Sequence, residues 1–311
     1  TSSEFAMAFL GNLRVKVDYF DWHFYAANGW NGDWPYLGTD NEWKHYYCWG
    51  TKFRECYRAI DALIQKTCSQ EPRPKIMVGE WSGDWTGAIF QKHANSFRGS
   101  LMRTMASGVY MADILMFMME RSVPSEGIHA AFWHAFSNDA QALFSVQTTR
   151  KQGISYKGKS TDEGYGYRMP VYWVFKLLSE QRGDILVGSH LRGENTIAAP
   201  PNGLYTDPEY TFSRITHCAS VRGDKLYLAL LNKDAHQSVN VRIGVLGWQL
   251  RPTVVAYDVG APSYLAENTI KRPDLVKLSG PKDERVEDSG TMLYRLKPNT
   301  LVVLQFQGDA E

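Results

Sequence analysis

Four cysteines are few for 311 residues, and Cys48, Cys56, Cys68 and Cys218 form no CxxC pair and have no His at metal-ligand spacing. That argues against a zinc ribbon or a disulfide framework and leaves free, buried thiols as the expectation. No apolar run reaches the length of a membrane span; "ADILMFMME" is short and ends in charge, so no transmembrane helix is expected. Basic clusters are also missing and the net charge is +1, so nothing points to nucleic acid or anionic lipid as a partner. There is no Asn-x-Ser/Thr sequon, which weighs against a glycosylated secretory route. The opening "TSSEFAMAFLGNL" lacks a basic region followed by an apolar core and reads neither as a signal peptide nor as the start of a domain. "GKST" within "KGKSTDEG" lacks the upstream Gly of a phosphate-binding loop and is a chance match.

Aromatic residues, by contrast, are abundant: 10 Trp, 17 Tyr and 14 Phe, with most of the Trp between Trp22 and Trp85. A sugar ring presents an apolar C–H face that packs on a π surface, so such a concentration suits a carbohydrate site as well as an aromatic core.

The first half alternates short apolar runs with helical patterns. "VKVDYFDWHFY" (15–25) reads as a strand. The next segment repeats Phe53, Cys56, Tyr57, Ile60, Leu63 and Ile64 at helical spacing. "KIMVGEW" is a second strand, a helix is predicted over about 96–119, and "GIHAAFWHAF" (127–136) is a third strand. "MPVYWVFKLLSEQRG" predicts a further helix, with Pro170 in its first turn and Gly183 at its end. Repeated strand–helix units with near-continuous apolar strands argue for parallel strands covered by helices. After about residue 184 the texture becomes alternating, and Gly223-Asp224 marks a hairpin. This second part reads as an antiparallel β-sandwich. The expected division is therefore 1–183 and 184–311.

In parallel α/β architectures catalytic groups gather at the C-terminal ends of strands. The three strands end on His23 and Tyr25, on Glu80 and Trp81, and on Trp133 and His134. A carboxylate such as Glu80 is costly beside tryptophans unless it is hydrogen-bonded or reactive. Each residue alone has a plainer reading, Glu80 as an ion-pair partner and His23 as a core histidine. Together they describe the floor of a site.

"VDYFDWHFY", "IMVGEW" and "AAFWHAFS" resemble strands six, seven and eight of the retaining glycoside hydrolases built on a (β/α)8 TIM barrel. "SRITHCASVRGDKLYLALLNKD", "YLAENTIKRPDLVKLSG" and "YRLKPNTLVVLQF" resemble the β-sandwich appended to α-L-arabinofuranosidases. The resemblance implies a fold, a partial TIM barrel (strands six to eight) followed by a β-sandwich, and an activity, exo-hydrolysis of terminal sugars from plant or algal polysaccharides. It implies Glu80 as nucleophile, Tyr25 as its hydrogen-bond partner, and His23 contacting the sugar or the neighbouring acid. Trp81 and Trp133 would wall the terminal subsite, with His134 beside them, and Trp30 and Trp34 would extend it. No cofactor or metal is implied.

The family's acid/base, a Glu after Asn at the end of strand four, has no counterpart here. Asn41-Glu42 is the right dipeptide in the wrong place, after strand six, and reads better as a helix N-terminus. Asp33 and Asp84 are weaker substitutes. Three strands of a barrel would leave open edges and a bare apolar face, so a polypeptide or upstream segment supplying strands one to five is the expected partner, beside a carbohydrate substrate. Two other readings stay open: a non-catalytic carbohydrate-binding or structural protein on this scaffold, and a related retaining xylosidase or galactan hydrolase.

Overall fold

The computed structural model describes residues 8–12, 15–25, 42–68, 73–83, 103–122, 127–134, 137–138, 143–145, 167–199, 210–269, 271–287 and 290–310. Its first layer is a parallel sheet, β1 (Tyr19–Tyr25), β2 (Lys75–Ser82) and β3 (Ile128–Trp133), in the order β1-β2-β3. Strand β1 begins four residues later than the sequence pattern suggests.

Helix α1 (Glu42–Thr67) joins β1 to β2, and α2 (Met105–Glu120) precedes β3. The stripe predicted on α1 faces inward, with Phe53, Tyr57 and Ile64 buried and Ile60 and Leu63 packed beside them. On α2 burial extends nearly all round, from Met105 to Met118. A helix apolar on every side must be covered on every side; α1, the helix at Pro170–Glu180 and strands of the C-terminal half share that cover. Short strands β4 (Ser137–Asn138), β5 (Phe144–Ser145) and β6 (Tyr167–Arg168) form a small sheet before α3 (Pro170–Glu180), whose Pro170 occupies the first helical turn.

The C-terminal half holds β7 (Ile185–Val187), β8 (Thr196–Ala199), β9 (Tyr210–Ser213), β10 (Ile215–Arg222), β11 (Lys225–Asn232), β12 (Val239–Gly244), β13 (Trp248–Gly260), β14 (Leu278–Arg285), β15 (Thr291–Leu296) and β16 (Thr300–Ala310). Six of them make one antiparallel sheet, β14-β13-β16-β11-β10-β7, while β12 pairs with β15 and β8 with β9. Period-2 alternation gives the large sheet two apolar faces. On β16, Val302, Leu304 and Phe306 pack with Val241, Ile243, Met292 and Leu296 of the β12–β15 ribbon. Leu301 and Val303 point the other way, into the cluster that contains α2, α3 and the parallel sheet. One hydrophobic cluster thus runs across the 183/184 division.

Polar contacts reinforce this seam. The first N–H groups of α2, which no intrahelical carbonyl can satisfy, are taken by the C-terminal half: Met105 donates to the carbonyl of Ala266 and Ala106 to that of Tyr264, both at 2.8 Å. Buried Asn268, from the "YLAENT" stretch, donates to the carbonyls of Arg168 (2.8 Å) and Val276 (2.7 Å) and accepts from the Val276 N–H. At the centre of α2, Asp113 accepts both guanidinium arms of Arg54 from α1 at 2.8 Å. It also accepts Nζ of Lys233, just beyond β11, at 2.8 Å and the hydroxyl of Thr216 on β10. Burial alone would raise the Asp113 carboxyl, but the two cations outweigh it and hold the group well below the usual carboxylate range. Burial pushes Lys233 down to about 8, against Asp113, with the Arg54 charge adding to the fall.

All four cysteines are free thiols. Among the described residues no helix is long and apolar enough to cross a membrane.

This junction carries two cations on one carboxylate, so its members are unequal. Asp113→Ala, which strands both cations, is expected to cost about 3–5 kcal/mol, and Lys233→Met distinctly less, by urea unfolding. Between about pH 8 and 10.5 the unfolded chain holds a proton that folded Lys233 has released. Wild-type stability should therefore rise relative to Lys233→Met as pH increases through that window.

Candidate active site

Strand β1 sorts its side chains by alternation. Trp22 and Phe24 are buried and meet Phe53 of α1, with ring centroids 5.2 and 5.0 Å apart. Asp21, His23 and Tyr25 take the opposite face, which is open; His23 is 48% exposed and Asp21 40%. On β2, Ile76 and Val78 are buried. Regular alternation from Val78 would send Glu80 to the helix-covered side and Trp81 to the open one.

The register reverses that assignment. Trp22 pairs with Val78, but His23 pairs with Glu80. On the other edge Ala131 pairs with Val78, but Trp133 with Trp81. Against both neighbours β2 carries one extra residue, Gly79. Such a bulge flips every side chain that follows. Glu80 therefore comes level with His23 on the open face, and Trp81, level with Phe24, becomes buried at 1% exposure.

The open face then holds a connected set. The Tyr25 hydroxyl donates to Oε2 of Glu80. His23 Nδ1 lies 3.5 Å from the same oxygen, and its Nε2 lies 3.4 Å from Oδ2 of Asp21. The Tyr25 ring meets His134 edge-on at 6.2 Å, and the His134 N–H donates to the carbonyl of Trp81 at 3.0 Å. Burial, the hydrogen bond to Glu80 and the Glu80 charge, in that order, push the Tyr25 phenol far above its ordinary range. Tyr25 therefore stays protonated, and remains a donor, across working pH.

Of the residues singled out by sequence, Glu80, His23, Tyr25 and His134 are brought together. Trp81 is not available to a ligand: it packs edge-to-face on partly buried Trp133 at 4.7 Å, and its neighbour Glu80 takes the open side. Adjacent residues of a strand cannot both face one cleft, so the sequence expectation for Trp81 is corrected. Trp30, Trp34, Asp33 and Asp84 lie outside the described residues, as does the side chain of Glu42, whose backbone opens α1. Two residues were missed, Asp21 and Gly79. The available signal was a glycine inside a strand pattern directly before a carboxylate, which marks a bulge or a close backbone approach. Among the described residues no group of three His, Cys, Asp or Glu is placed to hold a metal.

No protein-family model matches the sequence, and no curated protein does. Solved structures do match. The α-L-arabinofuranosidase of Thermotoga maritima, solved with arabinose, superposes with a TM-score of 0.74 at 17% identity over 98% of this chain and 56% of its own. The family 51 arabinofuranosidase of Xanthomonas axonopodis pv. citri gives 0.68 at 19% identity, with the same shares covered. The chain has the arabinofuranosidase-type glycoside hydrolase fold. It spans a little over half the length of these proteins. A more distant likeness, TM-score 0.53 at 13% identity over 94% of this chain and 47% of the other, is to a Paenibacillus polymyxa xyloglucanase of family 44.

The Tyr25–Glu80 contact has a direct test. Glu80→Gln removes the charge while keeping the shape, so the Tyr25 phenol should titrate at lower pH. It should not return to an ordinary value, because burial persists. A ¹³C-tyrosine NMR titration reads this, and an unmoved Tyr25 resonance would refute the contact.

Proposed function

We propose that this chain carries one wall of the active site of a retaining exo-glycosidase of the arabinofuranosidase kind, in which Glu80 is the nucleophile. The observation that supports this most directly is the bulge that sets Glu80 at the C-terminal end of a parallel strand, on the open face, beside Tyr25 and His23. In this reading β1, β2 and β3 are the sixth, seventh and eighth strands of a (β/α)8 barrel, and residues 184–311 are its appended sandwich.

The roles follow from the geometry. Oε2 of Glu80 is engaged by Tyr25 and faces His23, which leaves Oε1 as the oxygen that attacks the anomeric carbon. Tyr25 fixes the carboxylate plane, and its protonated phenol cannot serve as a base. His23, half exposed, reaches the substrate's hydroxyls or the partner acid. His134 borders the sugar, while Trp133, in register with Trp81, packs on that buried ring and backs the site from the other face. Attack by Glu80 forms a covalent glycosyl ester as the leaving oxygen takes a proton from a second carboxylic acid, and water activated by that same group then releases the sugar.

The two carboxyl groups of such enzymes stand about 5–5.5 Å apart. Asp21 is a poor second member, since it lies across the His23 ring from Glu80 and is held by a backbone N–H. In this reading the acid/base comes from a polypeptide or upstream segment that supplies the five remaining strands, with Glu42, Asp33 and Asp84 of this chain as weaker candidates outside the described side chains. The exposure of Tyr19 (46%) and Phe132 (55%) in the parallel sheet is consistent with apolar surface that such a segment would cover. The alternatives left open by the sequence keep xylosides and galactans in the assay panel beside arabinofuranosides.

With the completing segment present, Glu80→Gln is expected to cut aryl-glycoside turnover by roughly 10⁴-fold or more while the fold persists. A 2-fluoro glycoside with an activated leaving group should leave its sugar on Glu80, located by peptide mass mapping. Unchanged turnover in the variant removes Glu80 from the mechanism. Binding of the probe without an adduct favours a non-catalytic carbohydrate-binding protein.

A further inference from the structure

The bulge that presents Glu80 needs something to hold it. An extra residue in a strand takes its backbone N–H out of the regular ladder, and such a group must find another acceptor. The Gly79 N–H finds the carboxylate of Asp21, donating to Oδ1 at 2.6 Å. The fit is close on both sides. A Cβ on residue 79 would fall within the van der Waals radii of both Asp21 carboxylate oxygens, so only glycine lets the carboxylate lie over the strand. The other oxygen, Oδ2, faces Nε2 of His23 at 3.4 Å, while Nδ1 of the same ring faces Glu80 at 3.5 Å.

We infer that Asp21 is a positioning residue for Glu80: anchored on the Gly79 N–H, it holds the bulge that turns Glu80 to the open face, and it brackets the His23 ring against Glu80. The inference rests on the proposed role of Glu80 for its meaning in the reaction, but not for its test. A charge-assisted hydrogen bond to a backbone N–H is among the stronger polar contacts available at a surface. Without it, β2 gains a ladder position by deleting the bulge, and the one-residue slip exchanges the faces of Glu80 and Trp81. Asp21 acts on Glu80 through Gly79 and His23.

Three quantities decide the matter in Asp21→Ala, with Asp21→Asn as the conservative variant that keeps an Oδ1 acceptor. The first is hydrogen exchange at the Gly79 amide, expected to speed up roughly ten- to hundredfold in the alanine variant and far less in the asparagine variant. The second is the Tyr25 phenol, which reports where Glu80 stands. It should titrate at lower pH in Asp21→Ala and near the wild-type value in Asp21→Asn. The third is the rate of Glu80 labelling by the 2-fluoro glycoside in the completed enzyme, expected to fall in Asp21→Ala and to be largely rescued by Asn. If Asp21→Ala does not fold, Gly79→Ala, which displaces the carboxylate without removing it, should give the same fall in the Tyr25 titration. Gly79 exchange and Tyr25 titration unchanged in a folded Asp21→Ala, or an unmoved Tyr25 in Gly79→Ala, would overturn the inference. Absence of labelling in the wild type would instead overturn the nucleophile assignment, with the amide and phenol still deciding the role of Asp21.

Discussion

A buried carboxylate in the middle of α2 sets how the two halves of the molecule meet. Asp113 is fully buried and accepts from Arg54 on α1, Thr216 on β10 and Lys233 beyond β11. A buried charge is tolerated only when it is paired and hydrogen-bonded, so each of these elements must stay in register with the others. Apolar burial around the site supplies the bulk of the stabilisation, but it is nondirectional. The ion cluster is directional, and it fixes which turn of α2 meets which strand. The parallel sheet and its open face are set upon this frame.

On that frame, the site depends on one residue more than a regular ladder would contain. Side chains alternate along a strand, so a carboxylate next to a buried tryptophan must be assigned to one face or the other. Gly79 makes the assignment by shifting the register against β1 and β3 together. The cost is a freed backbone N–H and a carboxylate laid against it. The gain is that Glu80, Tyr25 and His23 converge with no side chain forced from the core.

Much of the scaffold was legible from the sequence because its signals are local. The β-branched and aromatic runs around Trp22 and Val78, the 3.6-residue stripe from Phe53 to Ile64, Pro170 at a helix start and the Gly223-Asp224 turn each carry their own physical cause. What was not legible is non-local. The glycine of "IMVGEW" signals a bulge, but which of Glu80 and Trp81 faces inward also depends on the partner carboxylate 58 residues upstream that receives the Gly79 N–H. Asp21 was passed over for the same reason, as one acidic residue among several in an aromatic strand. The burial of α2 on all sides was likewise invisible, because a run such as "ADILMFMME" is apolar whatever covers it. Part of its cover, one face of β10, β11 and β16, lies more than 90 residues further along the chain.

The six-stranded sheet is clothed on both sides, by the β12–β15 ribbon on one and by α2 and α3 on the other. It is therefore not a detachable module joined by a linker, and recombination at the 183/184 junction cannot exchange it as a cassette. A transplanted sandwich would have to bring with it an acceptor pair for the N-terminus of α2 and replacements for Thr216 and Lys233, or the host helix would be left with naked amides and Asp113 with Arg54 alone. The two halves thus share one core, even though only the first of them presents Glu80.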